Sequence, residues 1–397
     1  MKLYLFNPDS DLALANNEAN YIAPASARRM AQDMALLPIW YAAPDSAVLA
    51  PSAYNADFLR KMRDLFGLRV QLATEPELPD YAEASIVPWG WNPSIRKYLL
   101  KRGVNEDKLP SPRLLADYRS LSSRIQAVEM TRRVTGRYPG YTCGEHTLVN
   151  NIEDCERIVN AMHACLLKVP WSGSGKGLNW CLHGFTKPVS NWCERILREQ
   201  GCLTAEPIYN KVEDFAMEFY ADGRGRVVFA GYSVFHTGGS GMYAGNDLLS
   251  DEKILQKLSA YVPQEEFIRL RTRLEEELSA LFGGFYHGYL GVDMMICHFP
   301  DEAPVYRIHP CVEINLRMNM GVVARLLTDR YLAADAEGAF RIDYYPLAGQ
   351  ALEEHRQMSA SFPLSVENNR VCAGYLPLVP VTPQSRYRAF LLLTLPQ

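Results

Sequence analysis

The clearest pattern in the chain is a strict alternation. Aliphatic and polar side chains take turns along Val312-Glu313-Ile314-Asn315-Leu316-Arg317. A strand here puts Val312, Ile314 and Leu316 on one face and Glu313, Asn315 and Arg317 on the other. Upstream, Gly288 to Ile296 is an apolar strand-like run holding a single carboxylate, Asp293. Between the two runs lies His298 to Pro304, where Pro300, Asp301 and Pro304 read as the loop of a hairpin. That hairpin sets Asp293 opposite Glu313 and Asn315.

The rest of the pattern falls into blocks. Residues 1–112 alternate predicted strands (Leu3 to Phe6, Leu36 to Ala42, Val70 to Ala73, Ala84 to Val87) with predicted helices (Pro24 to Met34, Ala56 to Phe66, Pro93 to Lys101). Such alternation predicts a parallel α/β sheet. No GxGxxG follows the first strand, so a dinucleotide fingerprint is absent. After Pro110-Ser111-Pro112 the pattern predicts a long helix over Arg113 to Val134. Another helix falls within Thr147 to Met162, with Asn150 or Asn151 as its cap. Further on come a helix over Val189 to Glu199 and strands at Leu203 to Ile208, Val212 to Phe219 and Gly225 to Phe235. An amphipathic helix over Gln264 to Leu281 precedes the acidic hairpin, and a helix over Asn319 to Tyr331 follows it. Residues 332–397 carry a strand at Arg341 to Tyr345 and a hairpin of Val371 to Val381 with Tyr387 to Leu395, and read as a structural extension without a chemical signature.

Composition narrows the function classes. At 397 residues the chain has room for two or three domains. A formal net charge of -4 implies no general affinity for nucleic acid or for anionic membrane. No apolar run approaches the roughly 20 residues that span a bilayer. The first residues enter a strand directly and lack the apolar core of a signal peptide. Nine cysteines, an odd number, show no close pairing of a zinc or redox motif, and several lie in apolar runs. They read as reduced core thiols, and a cytoplasmic protein is expected.

Candidate chemistry gathers at four places. Burying an unpaired carboxylate is costly, so Asp293 and Glu313 call for a compensating cation. Magnesium suits Asp293, Glu313 and Asn315, because hard cations take oxygen ligands. The Arg317 fork suits a phosphate. The second place is Lys168 on an apolar strand, followed by Ser172-Gly173-Ser174-Gly175-Lys176-Gly177. Glycines let backbone amides approach an anion, and lysines neutralise it. Gly177 stands where a Walker A loop needs Ser or Thr, and a strand-like pattern resumes at Leu178, so a phosphate-covering hairpin is expected. Third, the loops Asn7-Pro8-Asp9-Ser10-Asp11 and Pro88-Trp89-Gly90-Trp91-Asn92-Pro93 follow parallel strands, where ligands bind. Asn7, Asp9 and Trp89 are therefore candidate substrate contacts, although Pro, Asn and Asp are also ordinary turn residues. Fourth, His236 before a glycine-rich stretch, and Arg307 and His309 in register with the polar face of Glu313, are further candidates for substrate or phosphate.

With these residues named, the chain resembles the ATP-grasp superfamily over about residues 113–330. Lys168 with the loop Ser172 to Gly177 looks like the family's strand lysine and glycine-rich phosphate loop. Glu206-Pro207-Ile208 looks like its adenine-holding hinge, and Asp214 like its ribose-side acid, with Glu213 adjacent. Asp293, Glu313, Asn315 and Arg317 match its E-x-N-x-R magnesium and phosphate set. The resemblance implies an α/β domain over 1–112, an ATP-grasp domain over 113–331 in two α+β subdomains (about 113–205 and 206–331), and an extension over 332–397. It implies ATP and Mg as cofactors, with Arg317 and Lys176 catalytic. The implied activity is an ADP-forming ligase that joins a small-molecule carboxylate to an amine through an acyl phosphate. An ATP-grasp small-molecule kinase and a non-catalytic nucleotide-binding protein are the alternatives, and the intact metal set argues against the latter. Asn7 to Asp11 replaces the family's usual glycine-rich turn, and the spacing from Asp293 to Glu313 is long, which implies an enlarged hairpin.

Overall fold

A computed structural model describes residues 1–137, 140–172, 177–238 and 243–394. It is a mixed α/β structure with one small parallel sheet, one small antiparallel sheet and one large antiparallel sheet. The parallel sheet comprises β1 (Lys2–Leu5), β2 (Ser46–Ala50), β3 (Val70–Thr74) and β4 (Ser85–Pro88), in the order β3-β2-β1-β4. The helix Ala56–Phe66 connects β2 to β3, and the helix Pro93–Leu100 follows β4, as the alternation predicts.

One expectation fails here. Leu36 to Ala42 is not a strand but a buried turn around a short 3-10 helix, Leu37–Trp40, and the strand comes later, at β2. A short apolar run has no periodicity that separates a strand from a buried helical turn. Pro38 in the first turn presets the helical φ and removes a donor that a strand would need.

The predicted helix Arg113 to Val134 is two helices, Pro112–Leu121 and Arg124–Thr135. Ser123 breaks it. Its backbone is extended (φ -66°, ψ 141°), and its hydroxyl accepts a hydrogen bond from the Ile125 amide at 3.3 Å. Serine competes for backbone groups inside a helix and is favoured at a cap. The break places Arg124 at a helix N-terminus, pointing into the site described below.

The small antiparallel sheet contains β5 (Thr147–Val149), β6 (Cys165–Lys168), β7 (Leu178–Cys181) and β8 (Leu203–Pro207), in the order β5-β8-β6-β7. The helix Ile152–Met162, capped by Asn151 onto the Asp154 amide at 2.8 Å, and the helix Lys187–Gln200 share its apolar core. β6 and β7 form an antiparallel hairpin, with the Val169 amide bonded to the Gly177 carbonyl at 3.0 Å.

The large sheet has nine strands. They are β9 (Lys211–Asp222), β10 (Val227–Thr237), β11 (Tyr243–Leu248), β12 (His287–His298), β13 (Tyr306–Asn315), β14 (Glu337–Tyr344), β15 (Ser365–Glu367), β16 (Arg370–Pro377) and β17 (Tyr387–Thr394). Their order is β13-β12-β9-β10-β11-β14-β17-β16-β15, antiparallel throughout. Residues 332–397 thus contribute four strands and the helix Gln350–Ser361, a helix that the apolar pattern does not announce. The helix Gln264–Phe282 packs its apolar face on β9 and β10 in one core.

The parallel sheet and the last strands share a second core. Trp40 lies fully buried within it. Its ring meets Phe66 and Tyr331 edge-on at 5.3 and 5.2 Å, and its indole N–H donates to the Leu378 carbonyl at 2.7 Å. Replacing Trp40 with Ala removes the largest buried side chain of that core and orphans the Leu378 carbonyl. A loss of about 3–5 kcal/mol is expected, read as a shift of the urea unfolding midpoint. Trp40→Phe, which loses chiefly the hydrogen bond, costs about 1–3 kcal/mol.

Candidate functional site

The acidic hairpin forms as the alternation predicts. β12 and β13 pair with Asp293 opposite Glu313 and Gly291 opposite Asn315. The Asn315 amide donates to Asp293 Oδ2 at 3.0 Å, and its carbonyl oxygen accepts from Arg317 at 2.9 Å. Three oxygen-bearing side chains and one guanidinium therefore meet at one point.

Two long-range contacts fix what this cluster faces. Arg317 engages Asp11 with both Nε (2.8 Å to Oδ1) and a terminal nitrogen (2.5 Å to Oδ2). Planar guanidinium and carboxylate match in just this forked geometry. Arg124 spans the cleft to the small sheet. One terminal nitrogen lies 3.2 Å from Glu313 Oε1 and 3.2 Å from Ser172 Oγ, and its Nε donates to the Val169 carbonyl at 3.2 Å. Val169 and Ser172 thus meet, through Arg124, the acidic hairpin. Asp11, Ser122, Trp171, Ser172, Glu313 and Asn315 line a single open cleft of about 350 Å³.

Lys168 and Glu206 sit deeper on the small sheet. They are 3% exposed each and form an ion pair through Oε1. Register places them as diagonal neighbours, Lys168 opposite Thr204 and Leu166 opposite Glu206. Ile208, two residues on, is partly exposed where the chain leaves β8. Asp214 on β9 pairs with Lys211 and accepts from the Thr237 hydroxyl at 3.3 Å, while Glu213 pairs with Lys257 at 3.3 Å. Gly173, Ser174, Gly175 and Lys176 lie outside the described residues.

The remaining candidates separate. Asn7 clasps the two N-terminal loops together, its side chain donating to the Gly90 carbonyl at 2.8 Å. Asp9 precedes the helix Ser10–Asn16, and burial raises its carboxyl above the usual range. Trp89 buries its ring against Phe6 at 4.9 Å, while its carbonyl accepts from the Met318 amide at 3.0 Å. His236 bonds Asp247 at 2.6 Å. Arg307 is not brought to Glu313. It pairs with Glu302 at 2.7 Å and stacks over Phe299, beside the hairpin loop. Between Arg307 and Glu313 the register of the β12–β13 pair shifts. Met295 faces His309 while Asp293 faces Glu313, so two positions on β12 match four on β13. Such a bulge re-aims the side chains beyond it.

Solved structures share this fold. Biotin carboxylase from Campylobacter jejuni, in a β-γ-ATP complex, matches at 12% identity over 99% of this chain and 87% of that one, with a TM-score of 0.53. N5-carboxyaminoimidazole ribonucleotide synthetase from Thermus thermophilus matches at 13% identity over 99% and 93%, with a TM-score of 0.51. The chain has the ATP-grasp superfamily fold. The biotin carboxylase domain of Hydrogenobacter thermophilus 2-oxoglutarate carboxylase, bound to MgADP, ADP and bicarbonate, matches at 12% over 88% and 86%, with a TM-score of 0.50. At these identities the likeness is one of fold. No protein-family model matches the sequence, and no curated protein matches it either.

Within this ATP-grasp fold the electrostatics are uneven. Burial, then the carboxylate of Glu313, pushes Asp293 up to about 8. Glu218, which the sequence reading missed, lies on β9 opposite Gly291 and is 1% exposed. Burial pushes it up to about 7, against hydrogen bonds from Asn319 and Ser233, both at 2.9 Å. A Cβ on Gly291 would stand 2.5 Å from Glu218 Oε2, and one on Gly321 2.1 Å from Oε1, so glycine alone leaves room for this acid. Glu206 behaves oppositely. Burial would raise it, but Lys168, His146 and His309 outweigh burial and hold it at about 2. The same burial lowers the Lys168 ammonium and takes His309 down to about 3.

These directions make a stability prediction. A carboxyl raised in the folded state binds its proton more tightly there than in the unfolded chain. Its contribution is complete below the unfolded value, 3.8 for aspartate, and is lost as pH rises through about 8. Wild-type protein in a chelating buffer should therefore lose stability relative to Asp293→Asn as pH climbs from 5 to 8. Paired thermal melts across that range measure it, and a constant difference refutes the assignment.

Proposed function

We propose that this protein is an ATP- and Mg2+-dependent ligase. It activates a small-molecule carboxylate as an acyl phosphate for attack by an amine and releases ADP. The observation that supports this reading most is Arg124, whose one nitrogen contacts both Glu313 and Ser172 across the cleft. Arg124 thereby joins Glu313 of the metal-type set to Ser172, the first residue of the phosphate-type loop.

The residues fit the two groups. Asp293, Glu313 and Asn315 offer hard oxygen donors, and the raised Asp293 carboxyl marks negative charge that nearby protein groups leave uncompensated. They are the residues that would hold Mg2+, which supplies Lewis-acid stabilisation of a transferring phosphoryl group. Lys168, Ser172 and the glycine loop through Gly177, Lys176 included, would hold the phosphate chain, with Glu206, Ile208 and Asp214 on the nucleoside side. Arg124 adds a second guanidinium to that wall, and its 7% side-chain exposure keeps it from being screened by water. Arg317 is already oriented by Asp11 and Asn315, so it meets an incoming anion without first being immobilised. The carboxylate and amine would enter from the side of the N-terminal loops, where Asp11, Asp9 and the Asn7–Gly90 clasp shape the mouth.

No helix among the described residues is long and apolar enough to cross a membrane. The nine cysteines are all free thiols, which agrees with the cytoplasmic location included in this reading.

Glu313→Gln keeps the shape and removes the charge. Losing a metal ligand costs several kcal/mol of barrier, so turnover should fall by a factor on the order of 100 to 1,000, with an unchanged circular-dichroism spectrum. The assay is ADP release during a screen of paired carboxylates and amines. Release that needs both partners supports the ligase. A stable phosphorylated product from one substrate, or normal activity of Glu313→Gln, overturns it.

A further inference from the structure

A second ligand set lies outside the magnesium-type cluster. His146, Glu206 and His309 bring their donor atoms within 4.8 Å of one another. His146 Nδ1 stands 3.2 Å and His309 Nε2 4.0 Å from the same oxygen, Glu206 Oε2. The side chains are 5%, 0% and 3% exposed for His146, His309 and Glu206. Yet Glu206 Oε2, His146 Nε2 and both ring nitrogens of His309 lack any hydrogen-bond partner. The short approach of His146 to Glu206 is misaligned for a hydrogen bond. Orphaned polar atoms this deeply buried are rare, and each costs about 1–3 kcal/mol. Two imidazoles and a carboxylate gathered in one buried cluster, with Glu206 Oε2 and His309 Nε2 unpartnered, make a donor set for a cation.

We infer that His146, Glu206 and His309 form a binding site for a transition-metal ion of the Zn2+ type. Three arguments select this class. Two imidazoles and one carboxylate are the donors such ions take, with bonds of about 2.0–2.2 Å. Tetrahedral donors are then roughly 3.3 Å apart, which the 3.2 Å pair already meets, and His309 at 4.0 Å has to close on Glu206 by roughly 0.7 Å. Lys168 already holds the other oxygen, Oε1. One remaining carboxylate oxygen is too little for Mg2+ or Ca2+, which take six or more oxygen ligands, whereas two imidazole nitrogens suit a Zn2+-type ion. Three protein donors leave a fourth position for water.

The three residues come from three pieces of the fold. Glu206 ends β8 of the small sheet, and His309 lies on β13 of the large one. His146 lies on the linker between them, whose Tyr141 and Cys143 pair with Ile308 at the edge of β13 (2.8 and 2.9 Å). A bound ion would tie the small sheet to the large one beside the Lys168 ion pair and fix the angle at which the two walls of the cleft meet.

The test uses the full chain without nucleotide, so it stands apart from the ligase reading. Chelator-stripped protein is titrated with Co2+, followed by its visible absorption, and with Zn2+, followed by the melting temperature. One equivalent with the absorption of four-coordinate cobalt, and a Zn2+-dependent rise in melting temperature, are expected. His146→Gln and His309→Gln should weaken Co2+ binding by roughly 100-fold or more, beyond the loss typical of an outer-shell partner. Glu313→Gln should bind as wild type does. If His309→Gln melts early without metal, His146→Gln, closer to the surface, decides. Wild-type protein that takes up no cobalt, or an unaltered titration in His146→Gln, overturns the site.

Discussion

Two guanidinium groups hold this molecule's cleft in shape. Arg317 and Arg124 each reach from one structural unit into another, to Asp11 and to Ser172 with Glu313. Both are needed because the hairpin they flank concentrates carboxylates on an otherwise apolar sheet. Asp293, Glu313 and Glu218 crowd one region, and the first and last of these are pushed toward the neutral form. A low-dielectric wall carrying that much negative charge is unstable unless cations surround it. The arginines supply part of the compensation and, because they must come from distant chain segments, they also draw the N-terminal loop and the small sheet to the same opening. Charge balance and cleft geometry are one constraint here.

Much of this was legible because some residues contradict their surroundings. Asp293 stands alone in an apolar run, and that contradiction, with the alternation around Glu313, located the hairpin's polar point. Glu218 carries the same signal, a single acid in Phe215-Ala216-Met217-Glu218-Phe219, and reading that run as an ordinary strand missed it. The alternation around Glu313 gave the correct face because a period of two holds along an unbroken stretch of strand. It did not bring Arg307 to Glu313, and an irregularity in pairing lies between the two. Nothing local announces such a slip.

Other features depend on geometry that a one-dimensional pattern does not contain. Arg124 looks like one more charge on an amphipathic helix until Ser123 stops the helix before it and turns it into an inward-pointing terminus. Asp11 looks like a turn residue until a helix beginning at Ser10 aims it at Arg317. The apolar stretch Leu36 to Ala42 had burial without period, so its conformation was open. The packing of Trp40 against Leu378 and Tyr331, residues from the other end of the chain, settles it.

The two sides of the cleft also differ in the kind of compensation they have. Glu206 is held charged at about 2 against its burial, with Lys168 the main cause, while burial and then Glu313 push Asp293 up to about 8. A ligand carrying both a divalent cation and a chain of anions relieves the two at once. Its cation answers the hairpin, and its anions answer the surplus positive charge around Lys168 and Arg124. That polarity across about one side chain's reach is what a metal-complexed polyphosphate presents. A neutral or singly charged ligand would leave one wall uncompensated.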